Sequence, residues 1–212
     1  MDLHDYKDVA ENYDRYLEVM YEVEDNYEGF IDFYCDLAKK YGDKGVIDIA
    51  CGTGAVILEL AKRGIDCDGS DISEEMCNVA LEKASKMGLN LNIFPADMTK
   101  MDSGKKYSLA IIARSGFMHL CSQEQEIEAL MNIREQLVEG GILSLNTFDP
   151  APFVQAQQMQ NSPDNYQFRL EYINADGNKE RIYNAICYEP VSQIMSGNWK
   201  FETLDSEGNV IG

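Results

Sequence analysis

The chain has 212 residues, with 37 acids against 18 bases and a formal net charge of −19 at pH 7. That balance argues against a nucleic-acid substrate, which needs a basic footprint, and its field favours cations. No apolar run reaches the ~20 residues that cross a bilayer, no signal-like leader opens the chain, and the six cysteines form no C-x-x-C pair, so a cytoplasmic protein with reduced thiols and no metal site is expected.

The length suits one domain with room for an appended subdomain. Residues 5–22 are polar and aromatic, and Tyr6, Val9, Tyr13, Tyr16, Leu17 and Met20 fall near one helical face, which predicts a lid helix. A second helix is expected over 27–41, and Gly42-Asp43-Lys44-Gly45 is a turn. Val46-Ile47-Asp48-Ile49 then reads as a buried strand that breaks into Gly52-Thr53-Gly54, followed by a helix over 55–63 that Gly64 ends. Residues 65–71 form a second strand ending in acid, and Ser73 caps a helix running to Met87. Strands are predicted over 89–94, 105–113 and 142–148. Between the last two lies a helix over 123–138 whose inner side is marked by Ile127, Leu130, Met131, Ile133, Arg134 and Leu137. Beyond residue 150, alternating segments over 166–174, 181–189 and 192–204 predict an antiparallel meander. It offers either a roof for a substrate or a surface for a homodimer.

Strand, glycine turn and helix form a nucleotide-site layout, with glycine wherever backbone must approach a ligand closely. A dinucleotide site needs a third glycine where Ile57 stands. Asp48, at the entrance of the turn, would also face a bound pyrophosphate as a like charge, whereas a cationic ligand tolerates it. Asp71 follows Asp48 near the ~20-residue interval that places a ribose-binding acid, its other reading being a helix-flanking acid. Ile72 beside it is a candidate wall for an adenine ring.

The run Asp48-Ile49-Ala50-Cys51-Gly52-Thr53-Gly54 resembles the first motif of class I S-adenosylmethionine-dependent methyltransferases. Ala10 to Tyr16 resembles the A-x-x-Y-D entry of small-molecule members, and Leu137 to Leu143 resembles their L-x-x-G-G-x-L close. The matching pattern extends from Tyr13 to Phe148. The resemblance implies a Rossmann-like α/β sheet flanked by helices, with an N-terminal helical lid over 1–42, a cofactor-binding core over 43–150 and an antiparallel β appendage over 151–212. In such relatives a further helix and strands return to the main sheet, whereas here the chain stops after a turn signal, so a truncated or a reduced domain is expected.

The resemblance also implies S-adenosyl-L-methionine as cofactor, held by Tyr13, Asp48, Ala50, Gly52, Gly54, Asp71, Ile72, Met76, Asp97, Met98 and Ala113. Asp97 would meet the adenine amino group and the Met98 backbone a ring nitrogen. Ser115 to Leu120 resembles a loop of sugar N-methyltransferases in which a histidine occupies the position of His119. His119 is therefore the candidate base, its other reading being a packed side chain, and Tyr13 either orients the acceptor, covers the cofactor or packs its helix onto the domain. Arg114 binds an acidic part of the substrate or pairs with a neighbouring acid. The implied activity is methyl transfer to a small-molecule amine. The alternatives are an oxygen acceptor and a noncatalytic cofactor-binding module.

Overall fold

Strand β1 (Val46–Ile49) is buried at every position, because both faces of the sheet it centres are covered and a parallel strand so placed must be apolar throughout. The computed structural model describes residues 13–14, 27–147, 159, 161–174 and 177–211. Within them β1 pairs in parallel with β2 (Cys67–Asp71) on one side and β4 (Tyr107–Ile112) on the other. With β3 (Asn92–Pro95) and β5 (Leu137–Leu145) outside these, the sheet runs β3-β2-β1-β4-β5, all parallel. The expected α/β class is observed.

Alternation along β1 and β4 divides the core in two. Val46, Leu109 and Ile111 face the helices α1 (Tyr27–Tyr41), α2 (Ile57–Lys62) and α3 (Glu74–Lys86), against Tyr34, Leu60 and Ala80. Ile47, Ile49, Ala110 and Ile112 face Met101 and Ile133 of α4 (Gln123–Gln136). Ser73 caps α3 as expected, its hydroxyl accepting from the Met76 amide at 3.2 Å.

Several boundaries differ from the sequence reading. Helix α2 starts at Ile57 rather than Ala55, because Gly52 and Gly54 hold left-handed φ values of 55° and 90° and keep the turn out of helical geometry. Strand β3 starts at Asn92 rather than Leu89, whose amide instead closes α3 by donating to the Ala84 carbonyl at 2.9 Å. The Glu139-Gly140-Gly141 turn is part of β5: Tyr107 pairs with Leu137 and Leu109 with Ile142, so the intervening residues form a bulge.

The largest correction concerns α4. Ile127, Leu130 and Met131, expected inside, are 57%, 42% and 65% exposed, and Arg134 is exposed as well, while Ile133 is buried as expected, together with Ala129 and Gln136. The reason is polar. Gln136 donates to the Met101 carbonyl at 3.0 Å and accepts from the Ser103 amide and hydroxyl at 3.1 and 2.8 Å. Asn132 donates to the same carbonyl at 3.0 Å. A buried carbonyl or amide without a partner costs ~1–3 kcal/mol, and that requirement sets the roll of this helix.

The chain divides into two compact units at the junction of Phe148 and Asp149. The second is an antiparallel sheet in the order β6 (Gln167–Ile173), β7 (Lys179–Glu189), β8 (Ile194–Leu204). Tyr172, Ile182, Ala185 and Leu204 are buried in it, and the buried Glu180 accepts from the Tyr172 hydroxyl and the Asn174 amide, each at 2.8 Å. The expected lid over 5–22 lies outside the described residues except for Tyr13 and Asp14, which are helical. All six cysteines are free, and no described helix is long and apolar enough to cross a membrane.

If polar anchoring orients α4, Gln136→Leu lowers stability by about 1–3 kcal/mol, whereas Met131→Gln stays within ~0.5 kcal/mol of the parent. Urea denaturation measures both, and the opposite order would mean that Met131 faces the core.

Candidate functional site

The carboxyl ends of β1, β2 and β4 open onto one cavity of about 240 Å³. Its floor is the turn after β1, where Ala50, Gly52 and Gly54 are all left-handed. The two glycines serve different ends. A Cβ on Gly52 would meet nothing within 4 Å, leaving open space above the backbone, whereas one on Gly54 would press on Leu58 at 3.1 Å and Ala80 at 3.2 Å. Gly52 therefore lines the cavity, and Gly54 lets α2 and α3 close beneath it.

Asp71, the last residue of β2, is held by two amides: Gly52 donates to Oδ2 at 2.8 Å and Ser73 to Oδ1 at 2.9 Å. Each oxygen keeps a lone pair for a further donor. Burial pushes its pKa above the ordinary value, against the pull of those two amides and of His119. Asp48 lies deeper. It is 1% exposed, its Oδ1 has no hydrogen-bond partner and it does not line the cavity. Burial first, with the Asp71 charge adding and the Ile57 amide opposing, pushes its pKa up to about 8.

A three-residue clamp fixes the turn from above. The Thr53 hydroxyl donates to Asp14 Oδ1 at 2.5 Å, and Lys83 Nζ donates to Asp14 Oδ2 at 2.8 Å and to the Thr53 carbonyl at 2.7 Å. The sequence reading did not pair these residues, and the only local signal was the acid following Tyr13. Tyr13 lines the cavity. Burial raises its phenol pKa and Asp71 adds to this, while Arg114 opposes.

The facing wall comes from β4. Beyond Ala113 the chain turns through Arg114 and Ser115, both left-handed at φ 53° and 60°, into a 3₁₀ turn over Gly116–His119. A Cβ on Gly116 would lie 2.9 Å from the Ala50 Cβ, so the turns after β1 and β4 are in contact. His119 is exposed on the cavity wall. Desolvation of its ring lowers its pKa below 6.5, with Asp71 pulling the other way. Arg114 is half-buried with its guanidinium 5.7 Å from the Phe30 ring, and burial lowers its pKa against the influence of Tyr13 and Asp14.

Ten of the twelve residues singled out from sequence line this cavity, Asp48 and Gly54 being the others. Those ten are Tyr13, Ala50, Gly52, Asp71, Ile72, Met76, Asp97, Met98, Ala113 and His119. The Asp97 Oδ1 accepts from the Thr99 amide at 2.9 Å and hydroxyl at 2.7 Å. Burial works to raise its pKa, but Thr99 and Lys100 more than offset this and hold it below the ordinary value. Gln125 and Glu128 also reach the cavity from α4, carried there by the roll of a helix that periodicity did not predict. Among the described residues no cluster suits a metal ion.

A methyltransferase-domain family model matches residues 46–141. A protein of Geobacillus sp. strain WCH70 described as a methyltransferase is 28% identical over 120 residues, 55% of this chain and 49% of that protein. The glycine/sarcosine N-methyltransferase of Aphanothece halophytica is 29% identical over 117 residues, 54% of this chain and 44% of that one. The chain thus spans about half the length of these curated relatives or less. Among solved structures, the CcbJ methyltransferase from Streptomyces caelestis shares the fold, with a TM-score of 0.69 at 23% identity over 87% of this chain and 73% of that one.

Two expectations follow from the buried geometry. Because the folded Asp48 binds its proton up to about pH 8 while an unfolded one releases it near pH 4, its contribution to stability is full below about pH 4 and is lost as pH rises through about 8. Asp48→Asn, which still accepts from the Ile57 amide, should gain stability over the parent between pH 5 and 9, and parallel melting curves across that range would refute the buried carboxyl. Second, Gly116→Ala should cost ~1–3 kcal/mol and Ala50→Gly should be neutral or stabilising as left-handed strain is relieved. The double variant should recover about 1 kcal/mol of the Gly116→Ala loss, whereas strict additivity in a double-mutant cycle would show that the two turns do not press on each other.

Proposed function

We propose, from the premise that this chain is a class I S-adenosylmethionine-dependent methyltransferase through residues 46–141, that its cavity transfers a methyl group to the nitrogen of a small amine. The observation that carries this reading is the presence in one cavity of an open glycine turn, an amide-held acid and a histidine. The residues present fit the cofactor: the space over Gly52 admits a ligand against bare backbone, and the spare lone pairs of Asp71 suit the two hydroxyls of a ribose. S-adenosylmethionine would supply the methyl group on a sulfonium, from which a neutral thioether departs with no need of a metal.

In this reading Ile72 and Met98 flank the adenine, Asp97 receives its amino group, and Met76 closes that end, while Ala50 and Ala113 bound the methionyl tail between the tips of β1 and β4. Holding donor and acceptor in line is where much of the acceleration arises, with ~7–11 kcal/mol available in favourable cases. His119 supplies the remaining requirement. An ammonium has no lone pair, and a histidine on the cavity wall whose pKa partial desolvation lowers is a free base at neutral pH, able to take the proton for a gain of ~10²- to 10⁴-fold. Tyr13, whose phenol burial keeps protonated, donates to or covers the reactants. The glycine/sarcosine N-methyltransferase of Aphanothece halophytica, by its name, acts on nitrogen, which supports an amine acceptor here.

The test is multiple-turnover methyl transfer from S-adenosylmethionine across small amines, amino acids and amino sugars. His119→Ala should lower kcat at pH 7 by ~10²- to 10⁴-fold and regain activity as pH rises and the free amine accumulates. Loss that high pH does not restore would point to an oxygen acceptor, and saturable cofactor binding without turnover on any acceptor would point to a binding module.

A further inference from the structure

Lys83 is the least exposed cation among the ion pairs of the described residues, with 26% of its side chain exposed against 35% or more for every other. Other helical lysines pair with an acid of their own helix: Lys39 with Asp36, Lys62 with Glu59 and Lys86 with Glu82, as a spacing of three or four residues allows. Lys83 has no such neighbour, since Val79, Ala80, Lys86 and Met87 stand at those spacings. Its ammonium instead leaves the end of α3 for Asp14, 69 residues earlier in the chain, at 2.8 Å, and for the Thr53 carbonyl at 2.7 Å.

Asp14 answers with both oxygens. Oδ2 takes the lysine, and Oδ1 takes the Thr53 hydroxyl at 2.5 Å. Thr53 is 1% exposed, so its hydroxyl has little water to turn to if this acceptor leaves, and a buried donor without a partner is costly. A carboxylate held at one oxygen can pivot, whereas one held at both, by groups from α3 and from the turn after β1, is fixed in place and in direction. Neither Asp14 nor Lys83 lines the cavity, but Tyr13 and Thr53 do. The direction fixed at Asp14 is therefore the direction in which the residue before it enters the cavity.

We propose that Lys83 is a positioning residue for methyl transfer, which through Asp14 holds the Tyr13 ring in the cavity. The inference rests on the methyl-transfer reading, in which Tyr13 donates to or covers the reactants. Lys83 itself touches neither. Its contact with the Thr53 carbonyl allows a plainer role as a brace of the turn, and the two roles part on whether the effect of Lys83 needs the Tyr13 ring.

Calorimetry with S-adenosylhomocysteine separates them, on the wild type, Lys83→Met, Lys83→Arg, Tyr13→Ala and the double variant Lys83→Met with Tyr13→Ala, with melting curves as the check on folding. Lys83→Met should weaken binding by about 5- to 20-fold, Lys83→Arg should recover part of the loss, and Lys83→Met should cost nothing further once Tyr13→Ala has removed the ring. Asp14→Asn still accepts from Thr53 but no longer offers a charge to the lysine, and should reproduce the loss while leaving α3 untouched. In the ligand-free protein, Lys83→Met should also speed amide exchange in the peptide that contains Tyr13 and Asp14. No loss of affinity overturns the proposal, and so does an equal loss with and without the Tyr13 ring, which would leave Lys83 a brace of the turn. A wild type that binds no S-adenosylhomocysteine overturns the methyl-transfer reading. Amide exchange then decides the hold on Tyr13 by itself, faster exchange in Lys83→Met upholding it and unchanged exchange overturning it.

Discussion

Left-handed backbone at the tips of β1 and β4 is the constraint from which the rest of this structure follows. A strand that continued straight past Ile49 or Ile112 would leave no edge at which a ligand could meet bare amides. At Ala50, Gly52 and Gly54 the chain instead folds back into α2, and at Arg114 and Ser115 it folds into the turn that carries His119. The two reversals touch, since Gly116 has no side chain and its missing Cβ is the space that Ala50 takes. One glycine faces the cavity and another faces the helices, so a single short turn both presents backbone and closes the core beneath it.

Electrostatics give that edge its character. In an acidic chain, Asp48 is buried with one oxygen unpartnered, and its elevated pKa is the relief available to a carboxyl that burial has stripped of water. Asp71, one strand over, is satisfied by two backbone amides and keeps acceptor capacity toward the cavity. Desolvation, which raises these acids by penalising their charged form, lowers the pKa of His119 for the same reason, and the Asp71 charge limits the fall.

Polar satisfaction, rather than apolar area, orients the second face of the sheet. The segment through Met101 and Ser103 has backbone groups to satisfy, and Gln136 and Asn132 satisfy them. Helix α4 rolls accordingly, leaving Ile127 and Met131 outside and bringing Gln125 and Glu128 to the cavity. The roll of a structural helix and the lining of the site are one decision.

What the sequence by itself determined is whatever is encoded locally. The apolar run ending at Ile49, the glycines of the turn, the Ser73 cap and the alternating segments after residue 160 are patterns of neighbouring residues, and each specifies its own backbone. The order of buried strands and the residues at their carboxyl ends follow from these, which is why Asp71, Asp97 and His119 were legible as site candidates. Only the tertiary structure decided which groups meet. Asp14 closes on Thr53 and Lys83, 39 and 69 residues away, Gly116 fits against Ala50, and Asp48 and Gly54 fall below the cavity that their neighbours line. Periodicity orders side chains around one helix or strand. It carries no information on which backbone groups of a distant segment will need a partner, and that need settled the face of α4 and the walls of the site.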